Sequence, residues 1–196
     1  MYSQNDEERH ILAHFDGRMG RLLDIGAYDG RTFSNTCRLI ELGWSAVLVE
    51  PSPSVFPRLA DLHGANAQVT LVQAAVGEHN GFERFFDSGG DAVSTLDPTH
   101  KQKWEQWAQV SFNEVQVPAV TVDDLFAAHG FDFDFINLDV EGTNWRIFRQ
   151  MRFDLMPMLK LVCVEHDGWI AGMLDQLRPL GFARIACNAE NLIAGR

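Results

Sequence analysis

The chain predicts an α/β fold, a mostly parallel sheet with helices on both faces. Strand-like and helix-like patterns alternate along most of its length. The strand-like runs, such as Ser45–Val49, are continuously apolar, as strands buried on both faces require. Four of the five central runs also end in an acid: Asp24, Glu50, the pair Asp139/Glu141, and Glu165 with His166 and Asp167.

A first helix is expected over 6–15, with Ile11, Leu12 and Phe15 apolar, inside an N-terminal segment 1–17. The first strand is Arg21–Ile25. The helix after it would carry Phe33, Cys37 and Ile40 and stop at Gly43. The second strand is Ser45–Val49. Ser52-Pro53 then reads as a helix start, with Val55, Leu59 and Leu62 as the buried stripe. The third strand is Val69–Val72.

The alternation breaks over about 78–118. Residues 82–86 and 114–117 read as an extra strand pair, flanking the loop 87–91 and a short helix with Trp104 and Trp107. About 40 residues cannot bury a core of their own, so this stretch reads as a small β insertion within a single domain, 1–196. Thr121-Val122-Asp123-Asp124 is a capping-box-like start to a helix ending at Gly130. A fourth strand follows at 133–138, a helix at 144–151, and a fifth strand at 159–164. The last helix carries Ile170, Met173, Leu174 and Leu177, and short strands at 182–187 and 191–194 close the chain.

Composition narrows the function classes. The formal net charge of −11, with no Lys/Arg block beyond Lys101-Gln102-Lys103, argues against a nucleic-acid partner. No apolar run approaches the ~20 residues needed to cross a bilayer, so no membrane partner is expected. The polar, acidic start is not a signal peptide, which points to the cytoplasm. Cys37, Cys163 and Cys187 are an odd, widely spaced set and read as buried apolar side chains in a reducing compartment.

In an open α/β sheet, ligands bind beyond the carboxyl ends of the strands. Gly26 and Gly30 allow a sharp turn there and close backbone approach of a ligand. Their spacing is Gly-x-x-x-Gly, not the Gly-x-Gly-x-x-Gly of a dinucleotide site, and Asp24 and Asp29 make the loop acidic. That suits a cofactor bearing positive charge better than a pyrophosphate. Glu50 lies 24 residues after Gly26, where an acid accepts two hydrogen bonds from a ribose diol. Asp139 and Glu165 should end neighbouring strands ~5 Å apart. Such a pair can hold a divalent cation such as magnesium, or one member can have a raised pKa and act as a base. His166 is the only histidine at a strand end, and an imidazole of pKa about 6.5 suits proton removal near neutrality. Trp104, Trp107 and Trp145 are candidates for an acceptor pocket. Helix capping by Asp139 or Glu141, and a plain loop role for His166, remain open.

The motif 24–30 followed by Glu50-Pro51 resembles motif I and the strand-two acid of class I S-adenosylmethionine-dependent methyltransferases. Thr121-Val122-Asp123-Asp124-Leu125, then Asn137-Leu138-Asp139-Val140-Glu141-Gly142, then Leu161-Val162-Cys163-Val164-Glu165 before Leu180-Gly181-Phe182, is similar to the signature of the FkbM family. The resemblance spans roughly residues 20–196. It implies a Rossmann-like seven-stranded sheet with an antiparallel last strand, and S-adenosylmethionine as cofactor. By position it implies Gly26 and Gly30 around the methionine part, Glu50 on the ribose, Ala75 and Val76 near the adenine, and Asp139 facing the methionine end or the acceptor. Asp24, Ala27, Tyr28 and Pro51 complete the expected cofactor contacts. One departure is that Thr143-Asn144 follows Asp-x-Glu-Gly, where family members often have another acid.

The resemblance further implies methyl transfer, usually to a hydroxyl oxygen, which attacks the sulfonium methyl as S-adenosylhomocysteine leaves. From the strand-end residues themselves, His166, or Asp139 with Glu165 and a magnesium ion, is expected to take the hydroxyl proton. The expected partner is a small or sugar-like hydroxyl acceptor, and a homodimer is compatible with the sequence. The rival readings are a nicotinamide oxidoreductase and a non-catalytic adenosine-binding module. The Asn/Asp-Pro-Pro-aromatic motif of nucleobase amino-methyltransferases is missing at the fourth strand.

Overall fold

A computed structural model describes residues 1–196. Its main sheet contains β1 (Arg21–Ile25), β2 (Ser45–Val49), β3 (Val69–Val72), β7 (Phe135–Leu138), β8 (Leu161–Glu165), β9 (Ala183–Cys187) and β10 (Asn191–Gly195). The seven strands lie in the order β3-β2-β1-β7-β8-β10-β9. β10 pairs antiparallel with both neighbours, and the pairs among β1, β2, β3, β7 and β8 are parallel. The sheet is mostly parallel, as the alternation of strands and helices predicts, and Rossmann-like with an antiparallel last strand, as the family resemblance implies.

Alternate side chains of each strand enter different cores, which explains the unbroken apolar runs. Leu22, Ala46, Leu48, Phe135, Leu161 and Cys163 pack under α1 (Glu7–Phe15), α2 (Cys37–Glu41) and α3 (Phe56–His63). Leu23, Ile25, Val47, Ile136, Leu138 and Val164 pack under α5 (Val122–His129), α6 (Asn144–Phe148) and α7 (Ile170–Leu177). The order reverses at β1, between β2 and β7, so a crevice opens above the carboxyl end of β1.

The stretch after β3 builds a second sheet. β5 (Gly81–Asp87) and β6 (Asn113–Thr121) form the expected antiparallel pair, and β4 (Ala75–Gly77) adds to β6 in parallel. The intervening helix α4 (Pro98–Ala108) starts at Asp97, whose carboxylate accepts from the amides of Thr99 and His100. Thr121 caps α5 as its sequence suggests, accepting from the Asp124 amide at 3.2 Å.

Several local expectations are corrected. Phe33 is not on a helix: it sits at φ +58°, half exposed, and α2 is only five residues because residues 31–36 form a loop. Leu62 faces solvent and His63 takes its place in the buried stripe of α3. α6 ends at Phe148, short of the expected 151. Cys187 is exposed, on the edge strand β9, although Cys37 and Cys163 are buried as expected. No helix is long and apolar enough to cross a membrane.

Candidate functional site

The crevice begins where β1 ends. Gly26 turns the chain at φ +90°, its amide donating to the Val49 carbonyl at 2.9 Å. A Cβ there would stand 1.7 Å from the Asp139 carbonyl oxygen, so only glycine lets β1 and β7 converge at this point. Gly30, at φ +76°, lies against Leu59 and His63 and closes the turn rather than lining a cavity. Asp29 holds the same turn by accepting from the amides of Arg31 and Thr32 at 2.9 and 2.7 Å.

Asp24 lies below the loop. Its oxygens accept from Thr36 Oγ1 at 2.5 Å and Asn137 Nδ2 at 2.8 Å, and Asn35 bonds Asn137 in turn. Burial raises the Asp24 pKa. Both carboxylate oxygens are thus engaged in fixing the loop 31–36 to the sheet.

Two cavities meet above this floor. The first is a narrow slot of about 50 Å³, lined by Gly26, Tyr28, Glu50, Pro51, Ala75, Val76 and Asp139. Residues Asp91, Ala92, Ser94 and Leu96 lie across it. The second is an open cleft of about 1160 Å³ that contains Asp139, Glu165 and His166, with Trp104 and Trp107 on its wall. Asp139 and Glu141 belong to both. Ala27 and Asp24 line a third, adjoining recess.

Glu50 lines the slot. Its Oε2 accepts from the Tyr28 amide at 3.0 Å and its Oε1 from the Ser52 amide at 2.8 Å. Each oxygen keeps a lone pair for a ligand hydroxyl. Burial pushes its pKa up to about 7, against those two hydrogen bonds.

Asp139 and Glu165 come together as the strand order requires, since β7 and β8 are neighbours. Asp139 Oδ1 is buried with no hydrogen-bond partner. Burial first, then the Glu165 and Glu141 charges, raise Asp139 well above the usual carboxylate range. Burial and the charges of Glu141 and Asp167 push Glu165 up to about 7. Asn144 ties this corner together. Its Nδ2 donates to Glu165 at 2.6 Å and Asp167 at 3.0 Å, and its Oδ1 accepts from the Val140 amide at 2.9 Å. No group of three or more His, Cys, Asp or Glu side chains is arranged to hold a metal ion. Asp139 and Glu165 are a pair of buried carboxylates in which the Glu165 charge favours the protonated form of Asp139.

His166 lines the cleft, yet its ring is engaged within the 166–168 turn. Nδ1 accepts from the Gly168 amide at 3.0 Å, leaving Nε2 as the N–H that faces the Asn188 carbonyl at 3.3 Å. Trp145 does not reach the cleft wall: it stacks on Trp169 with centroids 5.3 Å apart.

Sequence reasoning missed His100, which no spacing connects to the strand ends. α4 brings its Nε2 to 2.7 Å from Glu141 Oε2 and 2.6 Å from the Trp104 indole nitrogen. Thr95 donates to the Glu141 carbonyl at 2.5 Å, which ties the segment between β5 and β6 to the acid loop. Asn144 was visible only as a departure from the expected acid.

The sheet order, the glycine turn and the strand-end acids define a Rossmann-like class I methyltransferase fold. The chain belongs to the FkbM methyltransferase domain family, whose model matches residues 24–177. Solved structures agree on the fold. A precorrin-6y C5,15-methyltransferase from Geobacter metallireducens GS-15 aligns over 95% of this chain and 84% of its own, at 14% identity and a TM-score of 0.50. Fibrillarin from Aeropyrum pernix, crystallised with natively bound S-adenosyl-L-methionine, covers 97% and 76% at 11% identity and TM-score 0.50. A methyltransferase from Geobacter sulfurreducens covers 98% and 79% at 11% identity and TM-score 0.51. No curated protein matches the sequence.

Proposed function

We propose that this protein is an S-adenosylmethionine-dependent methyltransferase acting on a hydroxyl of a small or sugar-like acceptor. The observation that carries this reading is the buried, unpartnered Asp139 Oδ1 at the junction of slot and cleft. A buried polar atom without a partner costs free energy unless a ligand satisfies it. Bound S-adenosylmethionine supplies a methyl group already activated by a sulfonium charge.

The chain does the rest by position and proton handling. Glu50 accepts from the ribose hydroxyls, the Gly26 turn gives the methionine part room beside the backbone, and Asp139 faces its positive charge. Glu165 opens on the cleft and takes the acceptor's hydroxyl proton, its pKa of about 7 placing it close to working pH. His166, with both nitrogens engaged, holds the turn beside it. The three unpaired cysteines fit a reducing compartment such as the cytoplasm.

Thermal unfolding with S-adenosylmethionine, S-adenosylhomocysteine or NAD separates this reading from its rivals. At 100-fold over Kd, a ligand specific to the folded state adds about 2.7 kcal/mol, or roughly 5–10 °C in a chain of this size. The expected result is that increase with the first two ligands and none with NAD. Stabilisation by NAD alone, or by none of the three, overturns the reading.

A further inference from the structure

We infer that the Thr143 hydroxyl is the group that hydrogen-bonds the nucleobase of the cofactor and sets the preference for it. This rests on the proposed cofactor reading. Thr143 is only 6% exposed, and its Oγ1 is one of three buried side-chain polar atoms with no partner. It occupies the residue before α6, a position where threonine ordinarily spends its hydroxyl on the helix amides. Here it makes no such bond; only its carbonyl joins the helix, accepting from the Ile147 amide at 3.2 Å. The hydroxyl is left unspent inside a cavity wall.

Its place along the slot says which part of the ligand it meets. The slot's lining joins Gly26, Tyr28, Glu50 and Pro51 to an apolar group, Ala75, Val76 and Leu96. A further cavity of about 130 Å³ shares Val76, Leu96 and Thr143 with the slot and contains none of Gly26, Glu50 or Asp139. Thr143 therefore stands where the slot adjoins this further cavity, which holds none of the residues that suit the methionine part. With the sugar at Glu50, a flat heteroaromatic base lies against the apolar group. Ala75, Val76 and Leu96 give its faces apolar contact but offer no side-chain polar partner for its edge. The slot's other two hydroxyls are already engaged, Ser94 with Ser88 at 2.9 Å and Tyr28 with the Gly90 carbonyl at 2.7 Å. Thr143 Oγ1 can donate to a ring nitrogen or accept from an amino group.

The test compares Thr143→Val, which keeps shape and removes the hydroxyl, with Thr143→Ser, which keeps the hydroxyl. Calorimetric binding is measured for S-adenosylhomocysteine and for S-ribosylhomocysteine, the same molecule without its base. In Thr143→Val the S-adenosylhomocysteine Kd should rise about five- to tenfold, the loss of one buried hydrogen bond. The S-ribosylhomocysteine Kd should stay within about twofold, and Thr143→Ser should bind both like the parent. The ligand-free Thr143→Val protein should melt no lower than the parent, because a hydroxyl with no partner has been replaced by a methyl group. An unchanged S-adenosylhomocysteine Kd, an equal loss for both ligands, or a lower melting temperature without ligand overturns the assignment. A parent protein that binds no S-adenosylhomocysteine instead overturns the cofactor reading beneath it.

Discussion

Asp139 and Glu50 are both buried acids with raised pKa values, yet their surroundings give them different tasks. Glu50 is held by two amides and presents spare lone pairs, whereas Asp139 keeps an oxygen with no partner beside a carboxylate neighbour. A cation arriving at Asp139 favours its ionised form, so the affinity gained from a sulfonium should run through this residue. Asp139→Asn should therefore weaken S-adenosylmethionine about tenfold more than S-adenosylhomocysteine, the worth of roughly 1.4 kcal/mol of charge interaction. His166→Asn, which retains an acceptor for the Gly168 amide, should leave both affinities unchanged. Titration calorimetry on the two variants decides it: equal losses for both ligands in Asp139→Asn remove the residue from charge recognition. Asp139, Glu165 and Glu50 were legible because a strand-end acid in an α/β chain has few places to go but the crevice. His100 was not, since its partner Glu141 is 41 residues away and only the folded position of α4 joins them.

The elements of the main sheet were legible almost to the residue, because parallel strands buried on both faces leave an unbroken apolar signature. The helices α2 and α6 came out shorter than their apolar spacing suggests. Before α2, Asn35 and Thr36 are drawn onto the β1 and β7 side chains. After α6 the chain tightens into turns, the Gln150 amide donating to the Ile147 carbonyl at 3.0 Å and the Met151 amide to the Phe148 carbonyl at 3.1 Å. The extra strand pair was legible as strands but not as a roof, which depends on contacts distant in sequence. Asp87, at the end of β5, holds that roof down. It is 2% exposed and accepts from Ser52 Oγ at 3.0 Å, Ser54 Oγ at 2.5 Å and the Gly89 amide at 3.2 Å. On the far side of the slot, Tyr28 donates to the Gly90 carbonyl at 2.7 Å. Asp87→Ala removes a charged acceptor from a buried cluster, at about 2–3 kcal/mol. The melting temperature should fall by roughly 5–10 °C, and S-adenosylhomocysteine should dissociate faster because residues 88–96 are released over the slot. Scanning calorimetry with stopped-flow displacement checks both, and an unchanged dissociation rate shows that the roof is not held through Asp87.

At the scale of the molecule, a net charge of −11 is concentrated in part where the strands end, and burial there works against ionisation. Glu50 and Glu165 are each raised from 4.5 to about 7, and Asp24 and Asp139 are raised as well. A raised acid holds its proton in the folded state where the unfolded chain has already released it. Its stabilisation is therefore fully present below the unfolded value and is lost as pH climbs through the folded one. Between pH 5.5 and 7 each of the two glutamates forfeits about 2 kcal/mol, at about 1.36 kcal/mol per pH unit. Glu7 is shifted the other way, by its hydrogen bonds to Asn188, Asn191 and Asn5, but its effect lies at acid pH and does not offset this trend. The ligand-free protein should therefore melt roughly 10 °C higher at pH 5.5 than at pH 8. Glu165→Gln, which removes the titrating group and keeps an acceptor for Asn144, should flatten that slope and raise the melting temperature at pH 8. A melting temperature that climbs with pH over this range would mean that the crevice acids are ionised in the fold.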